Sequence, residues 1–158
     1  DYYDSLGGGV GVEYFLSDRW GLGLNYHVLS TTLSDEAESL RDGYGLVPDA
    51  RPQDSQITIS GLWGLGYGKM LVLDEIVHFD PIVSMHMGVS YAEARTLPTL
   101  KINFSPTFLL RYSLSVRLDL GLTAQMESRT RGWVLTTGFM PMVSVGWGKQ
   151  FWVNRSSK

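Results

Sequence analysis

Cysteine is absent from this chain, which removes disulfides, thiol catalysis and thiolate metal sites from consideration. Long apolar runs are missing too. Nothing approaches the roughly 20 consecutive apolar residues that a membrane-spanning helix requires. Basic charge is scarce and scattered, with 13 Lys and Arg against 16 Asp and Glu and a formal net charge of −3. No basic patch is visible, so a nucleic-acid partner is not expected. The chain is instead rich in glycine, at 18 residues, and in aromatics, at 12% of the whole. Its 158 residues suit one domain, taken as 1–158.

The apolar residues recur with a period of two. Val10, Val12, Tyr14 and Leu16 alternate with Gly9, Gly11, Glu13 and Phe15. Trp20, Leu22, Leu24, Tyr26 and Val28 alternate with Gly21, Gly23, Asn25 and His27, and Val83, Met85, Met87, Val89 and Tyr91 with Ser84, His86, Gly88 and Ser90. This is the strand period, and it gives each segment one apolar face. Seven such segments are expected, over 8–16, 20–31, 55–69, 79–92, 100–112, 115–127 and 133–150. Pro106 and Pro141 fall inside two of them, and each predicts a bulge or local opening because proline lacks the ladder donor.

The opposite faces carry mainly Gly, Ser, Thr, Asn and charged residues, which cannot make a soluble core. The expected fold class is therefore all-β, an antiparallel transmembrane up-and-down β-barrel whose apolar side faces lipid. The bilayer is then its first partner. Interfacial aromatic girdles are expected from Trp20, Tyr67, Tyr112 and Phe151 on one side and Tyr91 and Trp133 on the other, with Trp147 also at a boundary. Connections at 17–19, 70–78 and 113–114 lie on one side, and longer ones at 32–54, 93–99 and 128–132 on the other. Bacterial outer-membrane barrels keep short turns in the periplasm and long loops outside, which puts 32–54 at the exterior. Such barrels also have an even strand number, so one further strand upstream of Asp1, making eight, is the expected completion.

The run Gly64-Leu-Gly-Tyr-Gly-Lys-Met-Leu71, followed by Ile76-Val-His-Phe-Asp80 and a new alternating strand, carries a resemblance. So does Asp1-Tyr-Tyr3 ahead of a strand and the short Ser17-Asp-Arg-Trp20 turn. On these motifs the chain resembles the outer-membrane β-barrel domain proteins of myxobacteria and related deltaproteobacteria, small barrels of OmpA-like architecture. The resemblance implies an outer-membrane location, and a secretion signal and first strand just before this point. It implies no catalytic residues. Some barrels of this kind are associated with envelope-spanning gliding-motility machinery.

The charged and histidine residues on the non-lipid faces are Glu13, His27, His86, Lys101, Arg111, Arg117, Asp119 and Glu127. An eight-stranded barrel is just wide enough for side chains to fill, so a packed polar network is favoured over a proton or ion path. Arg111, Arg117, Asp119 and Glu13 are the expected centre. In loop 32–54, Ser34 is placed to cap a short helix over 35–40, with Tyr44, Leu46 and Val47 as partner-contact anchors and a solvated acidic cap as the alternative. Asp35, Glu36 and Glu38 lack calcium-loop spacing, and no metal, cofactor or small-molecule substrate is expected. The turn Leu73–His78 is a second candidate contact. Gly148-Lys-Gln-Phe-Trp-Val153, with Phe151 and Val153 after a glycine, resembles a terminal assembly signal ahead of a frayed tail over 154–158. An aromatic girdle is the alternative for Phe151 and Trp152.

The function expected is a non-enzymatic membrane anchor or scaffold within a larger complex of envelope proteins. One alternative is a lipid-modifying outer-membrane enzyme with a rim site. It would need a Ser, His and carboxylate set, yet His27 faces inward where Ser30 faces outward, and His86 with Ser90 has no evident third member. Another alternative is a soluble lipocalin-like carrier, which would turn the apolar faces inward.

Overall fold

The computed structural model describes residues 3–45, 53–72, 74–92, 95–110, 114–129 and 132–147. The strands are β1 (Tyr3–Phe15), β2 (Trp20–Leu33), β3 (Ser55–Gly64), β4 (Gly68–Val72), β5 (Glu75–Ala92), β6 (Arg95–Leu109), β7 (Leu114–Arg129) and β8 (Gly132–Trp147). One helix, α1 (Asp35–Tyr44), lies between β2 and β3. All eight strands form a single antiparallel sheet in the order β1-β2-β3-β5-β6-β7-β8, with β4 pairing β5. Among the described residues β1 and β8 end that order and do not pair with one another, and the curled sheet forms a half-barrel.

The alternation seen in the chain decides the two faces. On β3 every second residue is buried, namely Gln56, Thr58, Ser60 and Leu62. On β6 the buried set is Leu97, Thr99, Lys101, Asn103, Ser105 and Thr107. Most of their intervening neighbours are exposed, among them Ile59, Leu100, Ile102 and Phe104. Leu22, Met85 and Leu120 point outward while His86 and Asp119 are buried, so the concave side is polar and the convex side apolar. A lipocalin-like arrangement needs the reverse. The few buried strand aliphatics gather near the ends of the concave face. There Phe15 and Leu62 crowd Gly21, where a Cβ would stand 3.0 Å from the ring and 3.2 Å from Leu62.

Several boundaries differ from expectation, each for a local reason. The third segment, expected unbroken over 55–69, divides into β3 and β4, which lie end to end along β5. Gly64 pairs Ile82 and Gly68 pairs Phe79, so three residues oppose two and a one-residue bulge results. Gly66 takes φ 145° there, a conformation that side chains rarely adopt. The turn expected over 70–78 is mostly β-hairpin, with Val72 pairing Glu75 and Asp74 at φ 65°. The connection expected at 93–99 is shorter than that, because β6 begins at Arg95, which pairs Ala92. Among the described elements, the stretch between β2 and β3 is therefore what distinguishes the two sides by length. Around Pro106 the β6–β7 pairing lapses between Phe104–Leu120 and Thr107–Arg117 while the register is the same on both sides, the local opening expected of a missing donor. Through Pro141 the register continues unbroken, since β8 is an edge strand and half its donors point away from β7.

Candidate functional site in the polar interior

The concave face is built by parity. Residues that share a strand face with one inward charge all turn inward, and the curl of the sheet brings distant strands together above them. Glu13 on β1 and Arg117 on β7 are far apart in sheet order, yet their side chains meet in a two-pronged ion pair. Arg117 Nη1 donates to Glu13 Oε1 at 2.5 Å and Nη2 to Oε2 at 2.7 Å. Such fork-to-fork geometry is the strongest common form of ionic hydrogen bond. Arg117 Nε also donates to Thr107 Oγ1 at 3.0 Å, which fixes the plane of the guanidinium.

Asp119 is held by hydroxyls. Ser105 Oγ donates to one carboxylate oxygen at 2.5 Å and Ser144 Oγ to the other at 3.2 Å. His86 Nε2 lies 2.8 Å from Ser84 Oγ and 3.3 Å from Asn103 Nδ2. Ser90 instead faces Thr99 Oγ1 at 2.8 Å and accepts from Gln125 Nε2 at 3.3 Å. His86 and Ser90 thus share a face, as expected, but are engaged with different partners. Lys101 is 2% exposed, and its ammonium rests beside the thioethers of Met140 and Met142 at 3.6 and 3.9 Å. Three buried polar atoms have no protein partner among the described residues: His27 Nδ1, Asn103 Oδ1 and Thr123 Oγ1.

Of the residues expected in the network, Glu13 and Arg117 come together, with Asp119 anchored by the neighbouring hydroxyls. His27, His86 and Lys101 also turn to the concave side. Arg111 and the side chain of Glu127 lie outside what is described. What the charge-based reading missed is the uncharged majority: Ser84, Ser90, Thr99, Asn103, Ser105, Thr107 and Gln125, all buried. Their signal was present in the sequence as shared parity with the charged residues.

At the rim, Trp20 stacks on Trp63 with ring centroids 5.8 Å apart, and Tyr67 stacks on His78 at 5.4 Å. Tyr91 and Trp147 are exposed on the convex side as expected. Trp63 was not expected in a girdle; the β2–β3 register places it opposite Trp20. Tyr112, Phe151 and the side chain of Trp133 fall outside the described residues. Helix α1 begins as its sequence dictates. Ser34 Oγ accepts from Ala37 N at 3.4 Å, with Asp35, Glu36 and Glu38 in the first turn, and Gly45 closes the other end in the left-handed conformation. Arg41 bonds Asp42 and Glu38, each at 3.0 Å, and these two carboxylates raise its guanidinium further above its ordinary value. Tyr44 is exposed at the helix end, whereas Leu46 and Val47 lie outside the described residues. No group of residues among those described is arranged to hold a metal ion.

Comparison with family models, curated proteins and solved structures finds no match to this chain.

Proposed function

We propose that this chain is a bacterial outer-membrane β-barrel that serves as an anchor or scaffold, without chemistry of its own, in a larger assembly of envelope proteins. One observation carries the reading. Across β1–β3 and β5–β8 the outward described side chains include none that is charged, and they expose Val12, Leu22, Ile59, Met87, Ile102, Leu122, Phe139 and Val143 broadly to the surroundings. A soluble protein of this size does not carry an apolar surface on that scale around a polar interior. In hydrocarbon the same surface is solvated, and the antiparallel ladders satisfy the backbone wherever two strands pair. Most of the long strands exceed the roughly ten residues needed to cross a barrel's apolar band.

Partner contacts fall outside that band in this reading. Helix α1 with Tyr44 offers one surface on the long-loop side. The β4–β5 hairpin offers another on the opposite side, where it extends past the Trp20–Trp63 rung and exposes Leu71 and Ile76. The envelope-spanning gliding-motility association implied by the family resemblance fits a scaffold of this kind.

The protein is expected to fractionate with outer membranes, to need detergent for extraction, and to migrate faster on gels unheated than boiled. A stable monomer in detergent-free buffer would refute the reading.

A further inference from the structure

Among the described residues the half-barrel has two free edges, β1 and β8, and their directions restrict what can cover them. Following the connections, β1, β3, β6 and β8 run away from the α1 side, and β2, β5 and β7 run back toward it. β1 and β8 are therefore parallel to each other, whereas each ladder in the sheet is antiparallel. Closing β1 directly on β8 would introduce a parallel ladder among antiparallel ones. A second copy inserted the same way into a membrane presents only the same two edges, and these are parallel to both of ours. A strand running the other way pairs antiparallel with both.

Burial points to the same gap. Inward residues are buried along β3 and β6, in the middle of the sheet. Toward the edges that protection fails: the described β1 residues from Ser5 to Val12 are exposed on both faces, and on β8 Thr136, Met140, Met142 and Ser144 are only half-buried. Meanwhile the Glu13–Arg117 pair already draws β1 toward β7 across the concave face. The curl is in place, and one strip of wall is uncovered.

On the barrel reading above, we infer that this strip is filled by one further strand of the same polypeptide, lying upstream of β1 and antiparallel to both β1 and β8. It has roughly ten residues or more, with apolar side chains outward and small or polar ones inward. Sequence neighbours pair throughout this sheet, with β4 as a continuation of β3, and a strand ending on the α1 side leads directly into Tyr3. Residues 148–158 are poorer candidates, because Asn154-Arg-Ser-Ser-Lys158 supplies no apolar residue for an outward face.

The test places a photo-cross-linking amino acid at Val12 or at Val145, both exposed on the outward face of an edge strand, in the full-length protein in its native membrane. Cross-linked peptides are then identified by mass spectrometry. Both positions are expected to attach to a single intramolecular segment preceding Asp1. A link between the β1 and β8 regions, a link to a second copy, to 148–158 or to another protein, or no peptide link at all would overturn the inference. Heat-modifiable migration is read on the same samples. If it persists while the cross-link fails, only the closing strand is lost; if it is absent, the barrel reading falls as well.

Discussion

Glu13 and Arg117 show how a single pair of side chains can hold a curved sheet. Both are about one-fifth exposed, at 21% and 18%, so solvent screens the pair only partly. Removing one partner leaves the other charge with part of its solvation gone and no counter-ion. Glu13→Gln or Arg117→Met should therefore each cost about 2–3 kcal/mol in urea unfolding from micelles. The double variant should cost less than the sum of the two, because each single change already breaks the shared bond. Additive costs would show that the pair is not coupled. Glycine positions make an independent test of which face is which. A Cβ on Gly88 would drive into the Ile57 carbonyl and the Thr58 backbone, whereas Gly61 has open space beyond it. Gly88→Val is expected to destabilise by about 1–3 kcal/mol, with Gly61→Val close to neutral by the same measurement. Much at this scale was legible beforehand. Parity alone turned Glu13, His86, Lys101, Arg117 and Asp119 to one side. Which of them touch was not legible, because contact between β1 and β7 depends on curvature that no local pattern encodes.

Among the elements, the strands and the helix owe their form to different causes. Alternation makes the strands, and a period of two survives small errors in their ends. For this reason β2 and β7 lie close to where they are expected, while β5 and β6 begin earlier, at Glu75 and Arg95, and β6 also ends earlier, at Leu109. The bulge between β3 and β4 was read as continuous strand, since Leu65 and Tyr67 keep the apolar alternation across it. Only the pairing of Gly64 and Gly68 with β5 exposes the extra residue. Helix α1, in contrast, rests on its cap and its charges, with Ala37 as its buried residue. Ser34→Ala should cost about 1 kcal/mol of local helix stability, seen as faster amide hydrogen exchange across α1 with the strands unaffected. Unchanged exchange would mean that contacts outside the helix hold it. The expected side-to-side contrast in loop length proved weaker than the sequence suggested. Residues 95–99 are polar enough to resemble a loop but pair in register with β5.

For the whole molecule, the question is what lies outside the wall. If hydrocarbon does, a charge on the convex face should be far more costly than one within the interior. Leu120→Arg, with Leu120 at 48% exposure on the convex side, is expected to cost about 2–4 kcal/mol in bilayer refolding. In detergent-free water the same change would help solubility instead, and a neutral result in lipid would count against membrane insertion. The amino-acid sequence by itself determined the strand class, the polarity of each face and the inversion of inside and outside, because these follow from side-chain period and composition alone. Tertiary structure alone decided that β1 and β8, each paired on its other side, do not pair with one another among the described residues, that Glu13 reaches Arg117, and that β4 breaks from β3. Those outcomes depend on register and curvature summed over the whole sheet, quantities to which each residue adds only a small and non-local share.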